Sequence, residues 1–254
     1  MESSAELNLE LHAARVRAEA CAREWGVTLA EPYCANVSFV ARAGDRYVIK
    51  APAEVDDESL DEGEALELWG SDVAVRVVRR RGRTLLEERA DPGTDIGELE
   101  EGEATRVAVE LAGRLWRHAG APFRPVDPEV ERWLNQAERE GAPLVDLARS
   151  LRHEIGEGGQ WLVHGDYHHH NILRDGARFV VIDPKPYLSD REYDVASFLW
   201  NPMDNDMTDR DQTERRIASF VAAGLDEFRI RAWAVIRGAY LRPEFAAALR
   251  DLVE

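Results

Sequence analysis

Residues 161–184 read WLVHGDYHHHNILRDGARFVVIDP, and the fold is decided by how this stretch is read. A short apolar run, Trp161–Val163, leads into a turn that holds His164, Asp166 and Asn171. A second apolar run, Phe179–Ile182, delivers Asp183 and stops at Pro184. Short apolar runs bounded by turn residues read as buried strands. Asp175-Gly176 between them reads as the turn of a hairpin. Strands joined in this way bring Asp166, Asn171 and Asp183 close together. Two carboxylates and an amide are hard oxygen donors, which suit Mg²⁺ rather than a soft metal. Loop Asp and Asn residues commonly bind their own backbone; that accounts for Asp175 but not for the gathering of the other three. The run His168–His170, with His164, raises a zinc reading. Zinc sites use His or Cys at defined spacings plus a distant ligand, and Cys21 and Cys34 both lie far upstream.

The segment His164-Gly165-Asp166, four residues, then Asn171, followed by a strand ending Val181-Ile182-Asp183, resembles the catalytic and metal-binding segments of protein kinases. More closely it resembles the aminoglycoside phosphotransferase family, whose mark is H-G-D-x-x-x-x-N and then a strand ending in I-D. Ile182-Asp183-Pro184-Lys185, then Tyr193-Asp194-Val195-Ala196, then Asn201-Pro202, are similar to the streptomycin and hydroxyurea kinase branch of that family. The resemblance implies that Asp166 orients the substrate hydroxyl and accepts its proton, while Asn171 and Asp183 hold the metals that bridge the ATP phosphates. It also implies that Lys185, beside a metal carboxylate, either reaches the transferring phosphate or pairs with Asp183. Members of the branch usually carry Gly immediately before the Asn; this chain carries His170.

Tyr47-Val48-Ile49-Lys50 resembles the kinase strand whose Lys pairs with the α- and β-phosphates. That Lys needs a helix Glu to hold it. The segment Glu54–Trp69 has the apolar spacing of a helix, and Glu64 is the first candidate for the partner, with Glu62 the alternative. The loop Cys34–Ser38 stands where kinases cover the phosphates. It lacks glycines, and Ser38 is its candidate contact. Thr84–Gly93 resembles the hinge that reads adenine through its backbone, which by position points to Glu88 and Ala90. Family members commonly have an apolar residue where Glu87 stands, so the inner wall of the base pocket differs and both ATP and GTP are open.

At 254 residues the chain is one large domain or two lobes sharing a cleft. Its formal net charge of −17 argues against a nucleic-acid partner, which needs a cationic footprint, and would attract a polycationic small molecule. Two cysteines suggest no disulfide framework. The N-terminus carries carboxylates where a signal peptide needs basic and then apolar residues. No run approaches the roughly 20 apolar residues of a membrane span. A cytoplasmic protein, monomeric or weakly dimeric, with no membrane partner, is expected.

Taken in order, the chain predicts a helix over 5–25, strands near Val27–Ala30, Phe39–Arg42 and Tyr47–Lys50, the helix over Glu54–Trp69, and strands at Ala74–Arg79 and Thr84–Glu88. Helices follow at Leu99–His118, at 127–139 with Asp127 as its N-cap and Pro128 in first place, and at Pro143–Ile155. The tail reads as three helical pieces, Gln212–Ala222, Ile230–Tyr240 and Pro243–Leu252. The expected fold is α+β and two-lobed, protein-kinase-like. A nucleotide-binding lobe over 1–90 is joined by a hinge at 91–93 to a helical catalytic lobe over 94–254. The expected function is ATP-dependent O-phosphorylation of an aminoglycoside, streptomycin first, with Mg²⁺ as cofactor and resistance as the outcome. A kinase of hydroxyurea or another small metabolite, and a catalytically silent nucleotide-binding protein, are the alternatives. Asp190, Glu192 and Asp204, with Asp206 and Asp209, are candidates to line the cleft of a cationic substrate.

Overall fold

The computed structural model of the chain describes residues 4–202, 207 and 209–254. In chain order the elements are α1 (Ser4–Trp25), β1 (Leu29–Pro32), β2 (Ser38–Ala43), β3 (Tyr47–Pro52), α2 (Glu62–Trp69), β4 (Val77–Arg81), β5 (Thr84–Glu88) and β6 (Pro92–Asp95). Then come α3 (Glu101–Leu115), β7 (Arg117–His118), α4 (Asp127–Arg139), α5 (Val145–Ile155), β8 (Trp161–Val163), β9 (Ile172–Asp175), β10 (Arg178–Val181) and β11 (Tyr187–Ser189). The last four are α6 (Glu192–Leu199), α7 (Arg210–Ala222), α8 (Glu227–Leu241) and α9 (Ala246–Asp251). Two compact units result: 1–94 with 173–185, and 95–172 with 186–254. The boundary expected at 91–93 falls after Thr94, and the hairpin β9–β10, expected in the second lobe, belongs to the first unit.

The first unit is built on a five-stranded sheet in the order β1-β2-β3-β5-β4. Its pairings are antiparallel, with Val40 opposite Lys50, Val48 opposite Glu87 and Ile49 opposite Leu86. Because side chains alternate along a strand, Ala41, Ala43, Ile49, Ala51 and Leu86 share one face. That face is buried against Ala14, Ala18, Cys21 and Ala22 of α1, which recur at helical spacing and are small enough for the helix to lie close. Val40, Val48, Lys50 and Glu87 therefore point to the opposite face.

The helix expected over Glu54–Trp69 forms only from Glu62. Upstream, Ser59 donates to the Asp56 carboxylate at 2.7 Å, and Arg83 reaches across to the Asp56 carbonyl and the Ser59 hydroxyl. Such side-chain bonds hold the backbone in turns and compete with helix. β4 likewise starts later than Ala74, because Ala74 and Val75 pair with Val181 instead. This pairing, and the three-stranded sheet β10-β9-β6, tie segment 173–185 into the first unit.

The second unit is mostly helical. α8 is its core element, with Ile230, Ala232, Trp233, Ala234, Val235 and Ile236 fully buried. At Gly238 an added Cβ would meet the Leu249 side chain of α9, which would have to shift. The buried guanidinium of Arg216 donates to the carbonyls of Phe198, Leu199 and Asn201, which end α6, and forms two bonds to Glu101. A fixed fork of donors suits Arg to this task. Asp127 is the first residue of α4 rather than its cap, and its carboxylate takes Arg152 and the Gly158 N–H. α3 spans Glu101–Leu115 rather than Leu99–His118, and Glu100 caps it by accepting from Gly102 and Glu103. Among the described residues no helix is long and apolar enough to cross a membrane.

Candidate active site

Lys50 lies on β3, facing away from α1, and is 6% exposed. It donates to Glu62 at 2.6 Å and to Asp183. Burial disfavours its charge, but Asp183, Glu62 and Glu87 outweigh that and hold it above the usual lysine range. The expected partner, Glu64, is a correction: it pairs with Arg80 on β4 and is half-exposed. Two residues along a helix turn the side chain by about 200°, so Glu62 and Glu64 face opposite ways. Glu62 is on the inner face, 2% exposed. Asp183 ends the run after β10 with φ of 55°. A left-handed backbone is unusual outside glycine, and Asp is one of the few residues that tolerate it.

Beside Lys50 and Asp183 lies a cavity of about 440 Å³. Val40, Val48, Val75, Leu173 and Ile182 give it apolar walls; Glu87, Glu88, Arg89 and Ala90 run along its edge; Tyr33, Cys34 and Ala35 come from the loop before β2. Ser38 is not among these lining residues: it is buried at the start of β2, opposite Pro52. Glu88 is engaged by Arg76. Glu87 is 7% exposed, and burial pushes its carboxyl up to about 7 against the pull of Lys50. Lys185 donates to Glu58 at 3.1 Å, a partner the sequence did not suggest.

In the second unit, the turn after β8 is held by Asp194. Its buried carboxylate accepts from Trp116 Nε1 at 2.9 Å and from the backbone N–H groups of His164 and Gly165 at 2.9 and 2.8 Å. Gly165 has φ of 82°, where a side chain would strain. Arg237, buried in α8, donates to the Gly165 carbonyl at 2.8 Å. Nothing in the sequence flagged Arg237 beyond its place in an apolar helix. The Asn171 amide nitrogen donates to the Asp166 carbonyl at 2.9 Å and to its carboxylate at 3.3 Å. This leaves the amide oxygen of Asn171 as the group that can meet a cation.

The three histidines differ. His168 accepts from the His170 N–H through Nδ1, and Nδ1 of His170 lies 2.8 Å from Asp95. His169 is stacked on Phe198 with ring centroids 4.2 Å apart, and neither ring nitrogen has a hydrogen-bond partner among the described residues. Burial pushes it down to about 2, so it is neutral. Asp190 and Glu192, expected at a substrate cleft, are buried and bonded within the second unit. Asp190 accepts from Trp233 Nε1 at 3.0 Å, the Gly159 N–H at 2.9 Å and Arg229; Glu192 accepts from the Asp226 N–H at 3.1 Å. Both are buried. Asp204 and Asp206 lie outside the described residues. Asp209 caps α7 by accepting from the Gln212 N–H.

Residues 26–243 match the family model described as aminoglycoside/hydroxyurea antibiotic resistance kinase. The chain belongs to this antibiotic resistance kinase family. It is 28% identical to the streptomycin 3''-kinase of Klebsiella pneumoniae over 76% of this chain and 78% of that one. It is 30% identical to the hydroxyurea phosphotransferase of Kitasatospora aureofaciens over 84% of this chain and 67% of the other. The solved aminoglycoside phosphotransferase APH(3'')-Id from Streptomyces rimosus shares the fold, with a TM-score of 0.64 at 16% identity over 90% of this chain and 98% of that one. The protein-kinase-like α+β fold is thereby established, and with it an enzyme that uses a nucleotide to phosphorylate hydroxyl groups.

Within this antibiotic resistance kinase, Glu62 rather than Glu64 is the carboxylate that steadies Lys50. Glu62→Gln is therefore expected to lower kcat/KM for the nucleotide by about 10- to 100-fold, since it weakens a buried charge-assisted bond. Glu64→Gln, which touches only a partly exposed pair, is expected to change it by less than about twofold. Steady-state kinetics on the two variants decide the assignment, and equal losses would overturn it.

Proposed function

We propose that this kinase transfers the γ-phosphoryl group of ATP to a hydroxyl of a cationic aminoglycoside, streptomycin-type first, and so confers resistance. The observation that carries this reading is the buried Lys50, held by Glu62 and Asp183 on the wall of a cavity of about 440 Å³. A buried ammonium between two carboxylates is a site ready for phosphate oxygens. The residues fit a magnesium–nucleotide: the Asp183 carboxylate offers hard oxygens beside the cavity, and the apolar walls suit a flat base. Mg²⁺ held by Asp183 would neutralise charge on the phosphates.

The chain's own residues do the rest. Lys50 binds phosphate oxygens, and the backbone of Glu88 and Ala90 borders the base. Asp166 orients the acceptor hydroxyl and takes up its proton. Positioning and charge neutralisation supply the rate. A net charge of −17 favours a polycationic acceptor. The likeness to a hydroxyurea phosphotransferase favours a second reading, in which the acceptor is that small neutral molecule.

Nucleoside-diphosphate release, measured with ATP and with GTP against streptomycin, other aminoglycosides and hydroxyurea, separates them. Release driven by streptomycin is expected. Release driven by hydroxyurea alone would install the second reading, and release with no acceptor in the panel would overturn both.

A further inference from the structure

Glu87 lines the cavity with a carboxyl group to which the scheme above gives no contact with the nucleotide. The sheet face that lines the cavity carries Val40 and Val48 beside Lys50. Strand register sets Leu85 across from Lys50 and Glu87 across from Val48. Glu87 thus stands one step farther along β5 from the phosphate-binding lysine, toward Ala90. Val48, Val75, Leu173 and Ile182 give the cavity apolar walls, and Lys50 and Asp183 line its phosphate end. Its side chain is 7% exposed, and among the described residues its Oε1 has no hydrogen-bond partner.

A buried acceptor without a donor is costly, and native structures rarely leave one. A donor brought by the occupant of the cavity would remove that cost. An apolar slot with one unmet acceptor on its wall suits a flat ring whose edge carries an N–H. Adenine carries an amino group at ring position 6, and guanine carries a carbonyl at the same position. In its ionised form the carboxyl group only accepts, so at pH 8 it is satisfied by the first edge and opposed by the second.

We propose that Glu87 sets the nucleobase preference of this kinase, accepting a hydrogen bond from the 6-amino group of adenine and rejecting the 6-carbonyl of guanine. The proposal rests on the reading of the cavity as the nucleotide site. A site built to bond one polar edge discriminates strongly against an analogue that lacks it.

The test is calorimetric titration of the full chain at pH 8 with ADP and with GDP, with and without Mg²⁺. Wild type is expected to bind ADP at least about tenfold more tightly than GDP. Glu87→Leu is expected to narrow that ratio to within about threefold, by removing the side-chain acceptor that opposes guanine. Glu87→Gln keeps the shape and adds an N–H donor, so it is expected to bind GDP more tightly than wild type does. Should the leucine variant fail to fold, the glutamine variant decides alone. Equal affinity of wild type for ADP and GDP, or an unchanged ratio in the folded variants, overturns the role of Glu87 and leaves the nucleotide site standing. Absence of binding to either nucleotide overturns the site itself and the proposal with it.

Discussion

Asp183→Asn is expected to reduce phosphoryl transfer by about a thousandfold or more, the scale set by losing a metal-holding charge and a preorganised electrostatic contact together. Asparagine is the informative replacement because of the backbone. Residue 183 sits at φ of 55°, a conformation that Asn adopts readily and Ala does not. Alanine would add strain to the loss of the carboxylate; asparagine keeps the shape and removes the charge. The change also takes from Lys50 one of the two carboxylates bonded to it, while its pairing with Glu62 at 2.6 Å remains. Metal-free nucleotide affinity is therefore expected to stay within a few-fold of wild type, while Mg²⁺-dependent turnover collapses. Single-turnover kinetics beside equilibrium binding separate the two. A variant retaining more than about a tenth of wild-type turnover would remove Asp183 from the metal site.

Asp194→Ala is expected to have the largest effect on stability. The carboxylate is fully buried and accepts from Trp116 and from the backbone of His164 and Gly165. Burial pushes its carboxyl up, opposed by His164, Trp116 and the Gly165 N–H. Truncation leaves those donors buried with no acceptor, at about 1–3 kcal/mol each. A net loss of about 4 kcal/mol is a large part of the 5–15 kcal/mol that holds a typical domain together. For a chain of this size that corresponds to a fall in Tm of about 8–16 °C. Asp194→Asn keeps one acceptor oxygen and is expected to lose less. Thermal unfolding decides: a midpoint for the alanine variant within about 2 °C of wild type would mean the turn before Asp166 is held by something else.

The sequence showed most where the chemistry is local. Asp166 and Asn171 stand five residues apart in one turn, and the structure bonds the Asn171 amide to Asp166. Lys50 announced itself by ending an apolar strand. The choice between Glu62 and Glu64 was not legible, because it depends on the phase of α2. That phase depends on where the helix starts, and the start is set by Arg83, which holds Asp56 and Ser59 from across the unit. The burial of Asp190 and Glu192 was hidden for a similar reason. An acidic residue after a strand looks solvated until its donors are known, and those donors, Arg229, Trp233 and the Asp226 N–H, come more than 30 residues later. The division at 91–93 missed the hairpin 173–185 because pairing of Val75 with Val181 is invisible to any local pattern.

That pairing bears on the order in which the chain becomes structured during synthesis. The ribosome delivers residues 1–94 long before 173–185, yet both belong to one compact body. Until the later hairpin emerges, Val75 and strand β6 lack the partners they will keep. Translation thus leaves an incomplete sheet waiting while α3, α4 and α5 are made, and a nascent chain stalled before Val181 would expose that edge to chaperones or to aggregation.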